Sequence, residues 1–211
     1  MAACALALVL LIDVSGSVSS DRYALQHAGV AQALTEPQVE HALLSQEGGM
    51  AITVIEWSDR RQTIVPWHMI RTAPDVSAVS EILAGAQRSM TGSTAMGDAL
   101  HEGLTALNRA PCEPSRKIID ISGDGRNNDG SVSPDDMRLR ARANNVIING
   151  LPIRGDEPDV ADYYRGHVVT EDGFVIEAKS FDDFAVAIRT KLLTEVSERK
   201  HPSLDGDPAG G

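Results

Sequence analysis

Asp13, Ser15 and Ser17 stand at alternate positions in the stretch Asp13-Val14-Ser15-Gly16-Ser17. One carboxylate and two hydroxyls converging from a single loop offer only oxygen, the donor type that a hard cation such as Mg²⁺ prefers. Some element must place that loop. Eight consecutive apolar residues, Ala5 to Ile12, run directly into Asp13. An apolar run of that length, bounded by a Gly/Ser turn, reads as a strand buried on both faces, as in parallel sheets. The three oxygen-bearing residues therefore leave the carboxyl end of a strand, the edge at which open α/β sheets bind ligands.

The D-x-S-x-S spacing resembles the metal-ion-dependent adhesion site of von Willebrand factor A (vWA) domains. That resemblance implies two further ligands in separate loops. A threonine is expected in a Gly-x-Thr turn, matched by Gly92-Ser93-Thr94. An aspartate is expected after an apolar strand, matched by Asp124 in Ile118-Ile119-Asp120-Ile121-Ser122-Gly123-Asp124-Gly125. All three pieces occur in the family's order. The resemblance assigns Asp13, Ser15, Ser17, Thr94 and Asp124 to a divalent cation. Mg²⁺ is expected, with Mn²⁺ or Ca²⁺ served by the same oxygen ligands. It further implies a partner protein that offers an Asp or Glu carboxylate to the metal. Gly16, Gly92, Ser93, Gly125, Arg126 and Asn127 would form the rim around it, the glycines permitting tight turns. The polar run Asp124 to Gly130 also reads as an ordinary solvated turn, because Asn, Asp and Gly favour turns.

The wider chain resembles a bacterial family of secreted or periplasmic A-domain proteins without an assigned function. The matching segments include Glu56-Trp57-Ser58, Val65-Pro66-Trp67, Ile148-Asn149-Gly150-Leu151-Pro152-Ile153, Asp162-Tyr163-Tyr164 and Phe181-Asp182-Asp183-Phe184-Ala185. The resemblance covers most of residues 5 to 196. The aromatic matches Trp57, Trp67 and Tyr163-Tyr164 read as packing features rather than a second site. Cys4 and Cys112 carry no C-x-x-C spacing, which gives no zinc or redox motif. They read either as two unpaired thiols or, on the neighbouring strands that the A-domain sheet implies, as a disulfide made in an oxidising compartment. The expected location is periplasmic or secreted, with the cytoplasm as the alternative.

Composition agrees with one α/β domain. The 211 residues are 42% hydrophobic but only 4% aromatic, so the core must be aliphatic. A formal net charge of −11 repels phosphate backbones, which argues against nucleic acid as a partner, and it raises the local cation concentration. Met1 to Ile12 lacks the basic segment and cleavage site of a signal peptide and is too short to span a membrane. It reads as the first core strand, any export signal being expected upstream.

Strands alternating with helical patterns predict a doubly wound, mostly parallel six-stranded sheet with one antiparallel edge and helices on both faces. Expected strands include Met50 to Trp57, Gln62 to Trp67 as its antiparallel hairpin partner, Lys117 to Ser122, Val146 to Ile153, and Phe174 to Ala178 as the sixth, at an edge. Expected helices start near Ser19, Pro74, Met96, Ser133, Val160 and Ser180, with Pro37 ending the first. Asp98 falls in the first turn of a helix, where the dipole favours it. Asp120, inside an apolar strand, needs a hydrogen-bonding neighbour. The domain is expected over residues 1–199, as a monomer, followed by a disordered tail over 200–211.

Three functions compete on this reading. The first is a non-catalytic, metal-dependent protein-binding module. The second is Mg²⁺-dependent phosphoryl transfer through Asp13, weakened because Ser15 stands where a general-acid aspartate belongs. The third is a purely structural metal site. The scattered histidines and the lack of a G-x-S-x-G elbow disfavour hydrolases.

Overall fold

A computed structural model of the protein describes residues 1–155 and 157–197. The chain runs β1 (Ala3–Asp13), α1 (Ser20–Thr35), α2 (Pro37–Leu44), β2 (Met50–Trp57), β3 (Arg61–Ile70), α3 (Ala73–Ala84), α4 (Met96–Leu107), β4 (Glu113–Gly123), α5 (Pro134–Ala143), β5 (Val146–Pro152), α6 (Val160–Tyr163), a π-helical turn (Tyr164–Val168) and α7 (Phe184–Ser197). The expected tail over 200–211 and the boundary at 199 lie outside the described residues.

The sheet has the order β3-β2-β1-β4-β5, with only β3 antiparallel. β1 is central, which explains its unbroken apolar run. Its alternate side chains enter two different cores: Leu6, Leu8, Leu10 and Ile12 pack with α1, α3 and α7, while Ala7, Val9 and Leu11 pack with α4 and α5. Pro66 lies on β3, an edge strand, where the missing amide donor costs least.

The sixth strand does not form. Val175 and Ala178 make two isolated parallel bridges, to Gly150 and Ile153. Gly150 N–H bonds Phe174 O, and Ile176 N–H bonds Gly150 O; further on, Ala178 N–H bonds Pro152 O, and Arg154 N–H bonds Ala178 O. The register is continuous, but the bond joining the two bridges would have to be donated by residue 152. A proline has no N–H to donate. Pro152 thus reduces an expected edge strand to two touching points.

Pro37 does more than end a helix. Glu36 closes α1, and its carboxylate Oε2 then accepts from Gln38 and Val39 N–H at 3.0 and 3.2 Å, with Pro37 at the first helical position of α2. α2 therefore follows α1 directly and runs to Leu44, five residues short of β2. Ser180 caps only a turn, accepting from Asp183 N–H, and α7 begins at Phe184.

Cys4 and Cys112 form a disulfide with Cα atoms 5.9 Å apart, closing the pairing that the sequence left open. It crosslinks the amino-terminal ends of β1 and β4, neighbours in the sheet. Closing a loop of 108 residues stabilises the fold by about 4–5 kcal/mol on the chain-entropy model.

Candidate metal centre

Three loops at the carboxyl ends of β1 and β4 and ahead of α4 carry the five expected ligands. Register explains why two of them meet. β1 pairs with β4 up to Ile12↔Ser122, so Asp13 and Asp124 leave neighbouring strands at the same level. Ser17 Oγ donates to Asp124 Oδ1 at 2.6 Å, closing the first loop onto the third. Ser15 and Ser17 place their hydroxyl oxygens 3.3 Å apart, and Ser15 N–H donates to Asp13 Oδ1 at 2.7 Å. Gly16 N–H donates to Gly92 O at 2.7 Å, joining the first loop to the second.

Thr94 is held from behind by a side chain that the sequence reading passed over. Asn128 Oδ1 accepts from Thr94 N–H at 2.9 Å, and Asn128 N–H returns a bond to Thr94 O at 3.0 Å. Asn127 Oδ1 accepts from Gly97 N–H at 3.1 Å. That bond caps α4, whose own N-cap residue is Ala95 and has no side-chain oxygen. The polar loop after Asp124 is therefore a brace for the threonine loop and its helix. A second brace is Arg88: its Nη2 donates to Val14 O and Ser15 O, both at 2.9 Å, and to Thr91 Oγ1 at 3.1 Å. No spacing marks such an arginine in advance, because its acceptors are mainly backbone carbonyls.

The rim residues divide. Ser93 bonds Asp129, and Arg126 pairs with Asp159 and Glu157 while lying 5.5 Å over the Tyr163 ring. Arg126 is thus engaged by its own neighbours. Of the loop glycines, none of Gly16, Gly92 and Gly125 has positive φ, and a side chain at Gly125 would meet nothing closer than 3.8 Å. Gly92 packs against Asp59. Arg22 is a neighbour that the sequence reading did not single out: it donates to Ser17 O at 3.0 Å and lies 3.6 Å from Asp124 Oδ2.

The electrostatics centre on Asp13. It is fully buried, and its Oδ2 has no hydrogen-bond partner. Burial pushes its carboxyl up to about 7, against the lowering effect of Ser15, with Asp124 adding repulsion. Burial likewise holds the Tyr164 hydroxyl well above its ordinary range, with Asp13 and Asp124 adding to the effect. Among the described residues, no three His, Cys, Asp or Glu side chains group as a metal site. The groups gathered here have a different chemistry: the Asp13 and Asp124 carboxylates with the Ser15 and Ser17 hydroxyls, all oxygen, including one buried carboxylate oxygen without a partner, with the Thr94 loop joined to them through the Gly16–Gly92 bond. That set fits a hard divalent cation.

A family model described as "Protein of unknown function (DUF1194)" matches residues 3–200. The chain belongs to the DUF1194 family. No curated protein matches its sequence. Among solved structures, this DUF1194 chain resembles a von Willebrand factor type A protein from Catenulispora acidiphila at TM-score 0.65 and 19% identity, over 91% of the chain and 43% of that protein. The pilus adhesin SpaC of Lactobacillus rhamnosus GG matches at TM-score 0.68 and 16% identity, over 91% and 30%. Proximal thread matrix protein 1 of the mussel byssus, solved with zinc in its metal-ion-dependent adhesion site, matches at 0.63 and 17%, over 91% and 46%. The fold is therefore that of vWA domains. The chain spans less than half the length of each of these proteins.

Proposed function

We propose that this chain is a metal-dependent protein-binding module that captures a partner's carboxylate through a divalent cation at the carboxyl edge of the sheet. The observation that carries the reading is Asp13: a fully buried carboxylate with one oxygen unpartnered, beside Asp124 and the Ser15/Ser17 hydroxyls. Leaving such a group without compensation is costly, and a cation compensates it. Ser15, Ser17 and Thr94 would offer hydroxyl oxygens, with Asp13 and Asp124 supplying carboxylates directly or through water. Mg²⁺ is the ion proposed, with Mn²⁺ or Ca²⁺ as alternatives. Two carboxylates against a dication leave the site near neutral, so an outside Asp or Glu can still be attracted. The zinc-bearing site of the byssus protein, on the same fold, supports a divalent ion here. The reading is non-catalytic. The Cys4–Cys112 disulfide supports an oxidising, periplasmic or secreted setting.

Calorimetric titration of chelator-treated protein with Mg²⁺ and Mn²⁺ tests the site. We expect saturable binding of one ion per chain, abolished in Ser15→Ala/Ser17→Ala. Absence of binding by the folded wild-type chain would remove the central claim.

A further inference from the structure

The Tyr163-Tyr164 pair reads as a packing feature, and the Tyr164 ring does pack. It is fully buried at the start of the π-helical turn, in the core formed with α4 and α5. Its hydroxyl is harder to explain. That oxygen is buried and has no hydrogen-bond partner among the described residues. Phenylalanine would fill the same space without desolvating a hydroxyl.

Two glycines show where the hydroxyl reaches. A Cβ on Gly150 would fall 2.6 Å from Tyr164 Cδ1, so β5 admits the ring only because residue 150 has no side chain. A Cβ on Gly123, in β4, would fall 3.0 Å from the Tyr164 hydroxyl and 2.6 Å from Asp13 Oδ2. One tyrosine thus crosses β5 and β4 and ends behind the last residue of β1. The two unpartnered oxygens, one a donor and one an acceptor, flank the same small space beside Gly123 without bonding each other, an arrangement that one bridging water would complete. Tyr164 is the first residue of the π-helical turn, a kind of turn that recurs at functional sites.

We propose that Tyr164 is a positioning residue for Asp13. Its hydroxyl donates toward Asp13 Oδ2 through one bridging water and fixes the carboxylate's orientation toward a cation. This role rests on the metal-binding reading above. Partners behind a ligand tune metal affinity without touching the ion, typically by 10–100-fold.

The test is the same calorimetric titration on wild type and Tyr164→Phe, with thermal unfolding of both in chelator. We expect about tenfold weaker Mg²⁺ binding in Tyr164→Phe and an unfolding temperature in chelator close to wild type, since phenylalanine keeps the ring's packing and only one hydroxyl is lost. Equal Mg²⁺ affinity in the two proteins overturns the role of Tyr164 and leaves the site intact. A wild-type chain that binds no cation overturns both. A second measurement stands if Tyr164→Phe fails to fold. The chain has three tyrosines, so carbon-13 labelling at the tyrosine ζ position, with Tyr23→Phe and Tyr163→Phe, assigns the Tyr164 signal by elimination. Adding Mg²⁺ to the wild-type chain should shift that signal more than the other two, and a stationary signal overturns the proposal.

Discussion

Asp13 and Asp120 sit on neighbouring strands, both buried, yet the protein treats their charges in opposite ways. Asp120, midway along β4, meets Lys191 of α7 at 2.6 Å. Lys191 also binds Glu195 at 2.7 Å, Asn149 donates to Glu195 at 2.8 Å, and the ammonium lies 5.6 Å from the Phe174 ring. That cluster carries its own cation, sealed under a helix. Asp13, at the carboxyl end of β1, makes no ion pair among the described residues; its partners are Ser15 and the Asp124 backbone amide. The difference is one of origin of the countercharge. Where the chain supplies the cation, the carboxylate fastens α7 to the sheet; where it does not, the function proposed above has the carboxylate take one from outside.

The largest expected effect tests the sealed cluster. Lys191→Ala strands two buried carboxylates and should lower the unfolding free energy by about 3–5 kcal/mol in urea titrations. Asp13→Asn, in chelator, should cost far less or even stabilise, because it removes a buried charge that no cation of the described chain pairs. Similar losses in the two variants would erase the contrast.

A second, smaller effect is pH dependence. Burial and the Asp120 charge push Glu195 up to about 7, from an ordinary value of 4.5, despite Lys191 and Asn149. Between those values the native protein holds a proton that the unfolded chain has released. The stability this group contributes is therefore complete below about 4.5 and is lost as pH rises through about 7. Glu195→Gln should flatten that fall in unfolding midpoint against pH, and an unchanged profile would place the protonation elsewhere. The smallest effect is expected at Arg126→Ala. Its ion pairs with Asp159 and Glu157 join side chains about half exposed to solvent, so neither the unfolding midpoint nor the Mg²⁺ affinity should move measurably.

The strands and the loop spacing were readable because each rests on a local signal. Ala5 to Ile12 announces a central strand, and Asp13, Ser15 and Ser17 announce oxygen chemistry, without reference to any other part of the chain. What escaped depends on contacts between distant positions. Asn128 reads as a turn residue until it is seen holding Thr94, and Arg88 carries no motif at all. Lys191 looks like one more surface charge on a helix, although the need of Asp120 for a neighbour was legible from its apolar strand. The missing sixth strand is a subtler case. Phe174 to Ala178 has a strand's composition and lies in register with β5, and the interruption comes from a proline on the other strand.

The disulfide has a topological consequence. Cys4 and Cys112 turn the chain between them into a closed ring that contains Asp13, Ser15, Ser17 and Thr94, with Asp124 just outside. A protease that cuts once inside the ring, for instance at the exposed arginines of the β2–β3 turn, produces two pieces that stay covalently joined. Such a nicked molecule migrates as a single species until it is reduced, and its loops stay tethered beside one another after the backbone is no longer continuous.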